Sequence, residues 1–155
     1  MCSSDLDITK VSPNDFHAIT VVTNAVNIAA ELTVRNYIRI MVTGGIARTN
    51  SFELTGTFAE NSLNEISIDT TFLGIQALDL DLGAMSLHED EALVNRKLAE
   101  RSNQVILVSD SSKFNKRLFA VICELDKIDK IITDSNIDKN FRQSIEQKGI
   151  EVVIA

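Results

Sequence analysis

Four short polar clusters hold the residues whose types and spacing are best suited to chemistry. Asp110-Ser111-Ser112-Lys113 sets two hydroxyls and an ammonium beside a carboxylate. Such a set can clamp a phosphoryl or hydroxyl-rich ligand through charge-assisted hydrogen bonds; its plainer reading is a solvated turn. Thr43-Gly44-Gly45 can offer backbone N–H groups to an anion, because glycine lets a phosphate approach the main chain closely. It reads equally as a strand-exit turn. Arg48 follows closely and adds either a charge-assisted contact or a solvated surface charge. Thr23-Asn24 falls between a strand-like and a helix-like run, where helix N–H groups bind anions or Asn24 only caps the helix. Thr133-Asp134 is the last such cluster.

Two carboxylates stand apart. Asp69 interrupts the run SIDTTFLG; if buried, it must face a ligand or accept hydrogen bonds from the backbone. Glu91 can accept from a hydroxyl or act as a general base, or it complements the dipole of a helix start. His88-Glu89-Asp90-Glu91 has metal-like composition but lacks the His-Glu-x-x-His spacing of a zinc helix. The other histidine, His17, is distant in sequence. No metal and no cofactor is expected. Gly-x-Gly-x-x-Gly, a Walker lysine loop, Gly-x-Ser-x-Gly and Cys-x-x-Cys are all missing, which speaks against dinucleotide, nucleoside triphosphate, hydrolase and redox chemistry.

Composition narrows the partners. The chain has 155 residues with 15 basic and 22 acidic side chains, a net charge of −7. So acidic a surface repels phosphate backbones, so these residues are not expected to grip DNA or RNA themselves. With no Trp and one Tyr, aromatic platforms for single-stranded bases are lacking too. Cys2 and Cys123 make no disulfide framework, and Cys123, closing the run Phe119-Ala120-Val121-Ile122, is expected as a buried free thiol. The first sixteen residues contain no signal-like apolar stretch, and no run is long enough to span a membrane. A cytoplasmic, reduced protein is expected.

The elements that must position these clusters alternate between strand and helix. Strands are expected at 18–23, 37–43, 67–73, 104–109, 118–123, 130–133 and 151–155, with a short extended piece after Gly74. Helices are expected at 24–32, 58–66, 87–102 and 138–148. FELTGTF (52–58) is ambiguous. This order implies an α/β fold with a mostly parallel sheet and flanking helices, in which ligands bind beyond the carboxyl ends of the strands. All four polar clusters follow strands. Residues 1–17 are expected as a poorly packed segment before a single domain at 18–155.

VVTNAVNIAAEL (21–32), TGGIAR (43–48), TGTFAENSL (55–63), IDTTFLGIQAL (68–78), EALVNRKL (91–98), VILVSDSSKFNK (105–116) and KIDKIITD (127–134) together resemble the effector domain of the DeoR family of bacterial transcriptional regulators. The resemblance covers roughly residues 18 to 155. It implies a ribose-5-phosphate isomerase-like fold that binds a phosphorylated sugar and forms homo-oligomers, with operator DNA contacted by a helix-turn-helix outside this chain. Carried over by position, it implies ligand contacts at Thr23, Asn24, Gly44, Gly45, Asp69, Gly74, Glu91, Asp110 and Lys113, with Arg48 beside them, and it places Arg96 on the pocket side. The family's earlier Asp-Gly-Ser-Thr-like loop has no good counterpart here; Cys2-Ser3-Ser4-Asp5 does not supply it. Asn95 stands where the family often has Lys. A phosphosugar aldose–ketose isomerase on the same fold, with Glu91 as base, is the competing expectation, and a ligand-free oligomerisation module is a third.

Overall fold

In the computed structural model, residues 19–155 are described. The expected N-terminal segment, with Cys2-Ser3-Ser4-Asp5 and His17, lies outside them.

Six strands among the described residues run parallel to their partners. β1 (Ile19–Thr23) pairs in parallel with β2 (Ile38–Val42). β5 (Ile68–Gly74), β8 (Ser102–Val108), β10 (Lys130–Thr133) and β11 (Glu151–Ile154) form a four-stranded parallel sheet in the order β11-β10-β8-β5. These are the β-branched runs of the sequence, and alternate residues such as Val105 and Leu107 on β8 turn into the core. Gly74, Val108 and Ile132 lie level across the ladder, so β5, β8 and β10 end along one edge. Polar residues that follow these strands are thereby gathered on one side of the sheet.

The mostly parallel arrangement is as expected, and two smaller antiparallel pieces stand beside it. β3 (Ile46–Ala47) and β4 (Leu54–Thr55) form an antiparallel pair. β6 (Ala77–Asp79), β7 (Gly83–Ser86) and β9 (Ala120–Cys123) form an antiparallel sheet. The connection from β6 to β7 is only Leu80–Leu82, too short for a parallel crossover. Asp79 holds that turn: its carboxylate accepts from the N–H groups of Asp81 and Leu82 and from Arg117 Nε. The Arg117 hydrogen bond, ahead of the turn's own N–H groups, keeps the Asp79 carboxyl below its ordinary range.

α1 (Val26–Leu32), α2 (Thr57–Leu63), α3 (Glu89–Glu100) and α4 (Lys139–Gln147) flank the sheets. On α3, Glu91, Ala92, Val94, Asn95, Leu98 and Ala99 form one buried face at helical spacing. Its three first-turn acids suit the positive end of the helix dipole. Asp138 caps α4 by accepting from the N–H groups of Asn140 and Phe141. Asn24 does not cap α1: the capping position is Ala25, without a side-chain hydrogen bond.

Leu73, Leu78, Leu107, Ile122, Ile131 and Ile145 anchor the main core. A smaller cluster of Ala59, Leu63, Val94 and Leu98 takes Val22 from β1 and Ile68 from β5, joining the two parallel sheets across α2 and α3. Cys123 is buried and free, as expected, and burial pushes its thiol up to about 11.

Candidate functional site

Glu91 lies at the centre of a cleft built from distant parts of the chain. It is 4% exposed. Its Oε2 accepts from Gln76 Nε2 at 3.2 Å, just past the exit of β5, and from Ser86 Oγ at 3.3 Å, at the end of β7. Its Oε1 lies 3.0 Å from Arg48 Nε. Arg48 Nη1 donates to both carboxylate oxygens of Asp90, at 2.9 and 2.7 Å. The Arg48 side chain, expected as a ligand contact, is therefore engaged by its own protein.

Glu53, which the sequence reading left unassigned, lies in the same cleft. The turn at 48–53 aims it inward: Phe52 N–H donates to Arg48 O, and Arg48 N–H donates to Glu53 O, both at 2.9 Å. Phe52 takes a positive φ of 60°, rare for a bulky side chain, to close this turn. Burial, reinforced by the negative charge of Glu91, pushes the Glu53 carboxyl up to about 7 against a smaller downward pull from Arg48. Gly74, Gln76, Ser86, Glu91 and Asn95 share with Ser51 and Glu53 a cavity of about 70 Å³.

The exit of β1 adjoins Glu53 through the backbone, and at the exit of β2 Thr43 N–H donates to Thr23 O at 3.1 Å. Asn24 O accepts from Leu54 N–H at 2.6 Å, and Ala25 bridges Glu53. Thr23 Oγ1 accepts from Ala25 N–H at 3.0 Å. Asn24 is buried, and its Nδ2 has no partner among the described residues. Gly44 and Gly45 have φ of 75° and 112°. A Cβ on Gly45 would stand 2.5 Å from Thr55 O, so the second glycine is required by the close approach of β4. Gly44 faces open space.

The exits of β8 and β10 meet in a second polar cluster. Asp134 Oδ2 accepts from Ser111 N–H at 2.7 Å, and its Oδ1 accepts from Ser111 Oγ at 2.9 Å and from Asn136 N–H at 2.8 Å. These donors, Ser111 N–H foremost, pull the Asp134 carboxyl down to about 2. Asp110 turns back into its own loop, accepting from Ser112 N–H at 3.0 Å and from Ser112 Oγ. Lys113 closes a 3-10 turn at Ser111–Lys113, half-buried, and makes no ion pair among the described residues.

Of the expected ligand contacts, Gly74 and Glu91 line this cavity, and Arg48 reaches it through its contact with Glu91. Thr23 and Asn24 adjoin it through the exit of β1, Gly44 and Gly45 follow β2 without lining it, and Asp110 and Lys113 follow β8, the strand beside β5, on the same sheet edge. Asp69 is not brought there. It is exposed near the start of β5, where Ile68 pairs with Ser102, at the opposite end from Gly74. Its carboxylate stays in water, which answers the question of a buried partner. Arg96 is also not a pocket residue: its guanidinium donates to Val121 O and Ile122 O and fastens α3 to β9. Among the described residues, no group of three or more His, Cys, Asp or Glu is arranged to hold a metal.

The chain is similar to a set of curated transcriptional regulators. It is 36% identical over 134 residues to the uncharacterized HTH-type transcriptional regulator YulB of Bacillus subtilis, covering 86% of this chain and 52% of that protein. It is 34% identical over 151 residues to the HTH-type transcriptional regulator GlpR of Haloferax volcanii, covering 97% and 58%. The HTH-type transcriptional repressor GlcR of Bacillus subtilis is 29% identical over 135 residues, covering 87% and 52%. The chain spans little more than half the length of these relatives, which are regulators rather than enzymes. Residues 11–135 match the family described as the DeoR C terminal sensor domain, and the chain belongs to that family.

Proposed function

We propose that residues 18–155 form the effector-sensing and oligomerisation domain of a cytoplasmic DeoR-type repressor of sugar catabolism, and that the effector is a phosphorylated sugar. One observation carries this: the exit of β5 and the start of α3 meet at one cleft, the exit of β1 adjoins it through the Ala25–Glu53 bridge, and the Lys113 loop lies on the same sheet edge. That edge is where parallel α/β sheets bind ligands. The phosphate is assigned to the Lys113 ammonium, presented by a loop that Asp110 and Asp134 hold in shape. Operator contact belongs to a helix-turn-helix segment outside these residues, in keeping with the net charge of −7 of the 155-residue chain. Effector binding shifts a homo-oligomer between arrangements by its differential affinity for them. No helix among the described residues is long and apolar enough to cross a membrane.

Thermal unfolding with matched phosphorylated and free sugars tests the proposal, since a ligand that binds only the native state raises its melting temperature. Phosphorylated sugars raise it and free sugars do not. Lys113→Ala weakens phosphosugar binding by about 1.5–3 kcal/mol, the range for a charged hydrogen bond. Equal shifts with free and phosphorylated sugars would overturn the phosphate assignment.

A further inference from the structure

The cleft beside Glu91 holds more hydrogen-bonding capacity than the protein itself uses. Ser51 Oγ and Glu53 Oε2 are enclosed and have no partner among the described residues. Asn95 is 8% exposed, lines the same cavity, and its amide makes no hydrogen bond among the described residues. Buried polar groups are nearly always paired, so a cluster left open marks the place of water or a ligand. The lining offers both roles a hydroxyl needs: carboxylates to accept its proton, and amide or hydroxyl donors to its lone pairs.

Charge decides which end of a phosphorylated ligand enters. Glu53, Asp90 and Glu91 converge on Arg48. An anionic group would meet uncompensated negative charge at low dielectric, whereas a neutral hydroxyl meets acceptors. The cavity, about 70 Å³, has room for a few carbon and oxygen groups of a polyol chain and not for a large ring system.

We propose that the cleft between Glu53, Glu91 and Asn95 is the subsite that reads the hydroxyl groups of the effector, with Glu53 and Asn95 setting which sugar binds. This rests on the assignment of the domain as a sugar-phosphate sensor, and it names the part of the ligand that the phosphate loop does not hold.

The test compares inorganic phosphate, glycerol 3-phosphate and fructose 6-phosphate by calorimetry on the intact chain, its Asn95→Leu and Glu53→Gln variants, and Lys113→Ala. In the unaltered chain the sugar phosphate binds more tightly than inorganic phosphate. Asn95→Leu and Glu53→Gln each reduce that ratio about tenfold or more, the equivalent of one good hydrogen bond to a buried or charged group. Lys113→Ala weakens all phosphorylated probes alike and leaves the ratio in place. A ratio near one in the unaltered chain, or a ratio untouched in both cleft variants, overturns the subsite and leaves the sensor assignment standing. If no phosphorylated probe binds, the sensor assignment fails, and sorbitol decides the subsite: displaced side-chain amide resonances of Asn95 in the unaltered chain support it, and unmoved resonances overturn it.

Discussion

Arg48 Nη1 grips both oxygens of Asp90, at 2.9 and 2.7 Å, while its Nε stands 3.0 Å from Glu91. The pair ties the β3–β4 hairpin to the first turn of α3 and supplies positive charge among three carboxylates. Removing it leaves Glu91, 4% exposed, with less compensation. Arg48→Met is therefore destabilising, by about 1–3 kcal/mol, the lower part of that range reflecting the exposure of Asp90. Urea unfolding at neutral pH measures it, and a loss below experimental error would show that the contact is idle.

Glu53 makes stability fall as pH rises. Its folded carboxyl titrates at about 7 against 4.5 for an ordinary glutamate. Between those values the folded state holds the proton and the unfolded state has released it, so unfolding releases protons and stability declines with increasing pH. The full decline is on the order of 3 kcal/mol. Glu53→Gln removes it, so the variant gains on the parent protein from about pH 5 upward and levels off above about 7. Parallel pH profiles for the two proteins would refute the assignment to Glu53.

Much of this arrangement was open to a reading of the residues, and the exceptions share a cause. The runs around Val105, Ile131 and Val152 specify parallel strands because β-branching and turn residues are local signals. The clusters at Asn24, Gly44 and Gly74 could be assigned to strand exits for the same reason. Glu53 could not, because its environment comes from Glu91 on α3 and from a turn closed by Phe52 in an uncommon conformation. Asp69 and Arg96 fail in the opposite way. The resemblance placed both on the pocket side, but the strand end occupied by one and the β9 carbonyls met by the other are set by register and packing. β7 was not among the expected strands; its pairing depends on Gly83, where a Cβ would meet the backbone of Cys123 and Glu124, a contact between segments distant in sequence.

Gly45 tolerates no side chain. It has φ of 112°, and a Cβ would stand 2.5 Å from Thr55 O and 3.1 Å from the Ala59 Cβ. Relief requires β4 to move, and β4 carries the chain from Glu53 into α2. Gly45→Ala costs roughly 1–3 kcal/mol through strain at a left-handed position and displaced backbone. Gly44→Ala has the φ penalty without the clash, so it costs less. Thermal melts of the two variants should rank in that order; the reverse ranking would show that β4 yields easily.

Asp134 fixes the loop that carries Lys113. Its carboxylate accepts from Ser111 twice, through backbone and hydroxyl, and so couples the exit of β8 to that of β10. The same donors hold its carboxyl at about 2, below the ordinary 3.8. A carboxyl lowered on folding stabilises the protein above its unfolded value, and that contribution is lost as pH falls from 3.8 through about 2. In Asp134→Ala the Ser111 N–H loses its acceptor, and the turn at Ser111–Lys113 keeps only its internal Asp110 cap. Hydrogen exchange at Ser111 should then accelerate, while exchange in the β8 interior at Val105 and Leu107 stays slow. Phosphate-bearing ligands should bind more weakly, because Lys113 and its loop must be ordered at the moment of binding and that ordering costs free energy. Asp134→Asn separates the two requirements of charge and shape, since its amide oxygen can still accept one of the Ser111 bonds. It should fall between the parent and Asp134→Ala both in Ser111 exchange and in affinity. Unchanged exchange at Ser111 in Asp134→Ala would mean that the loop is held by its own cap and that Asp134 has no part in positioning Lys113.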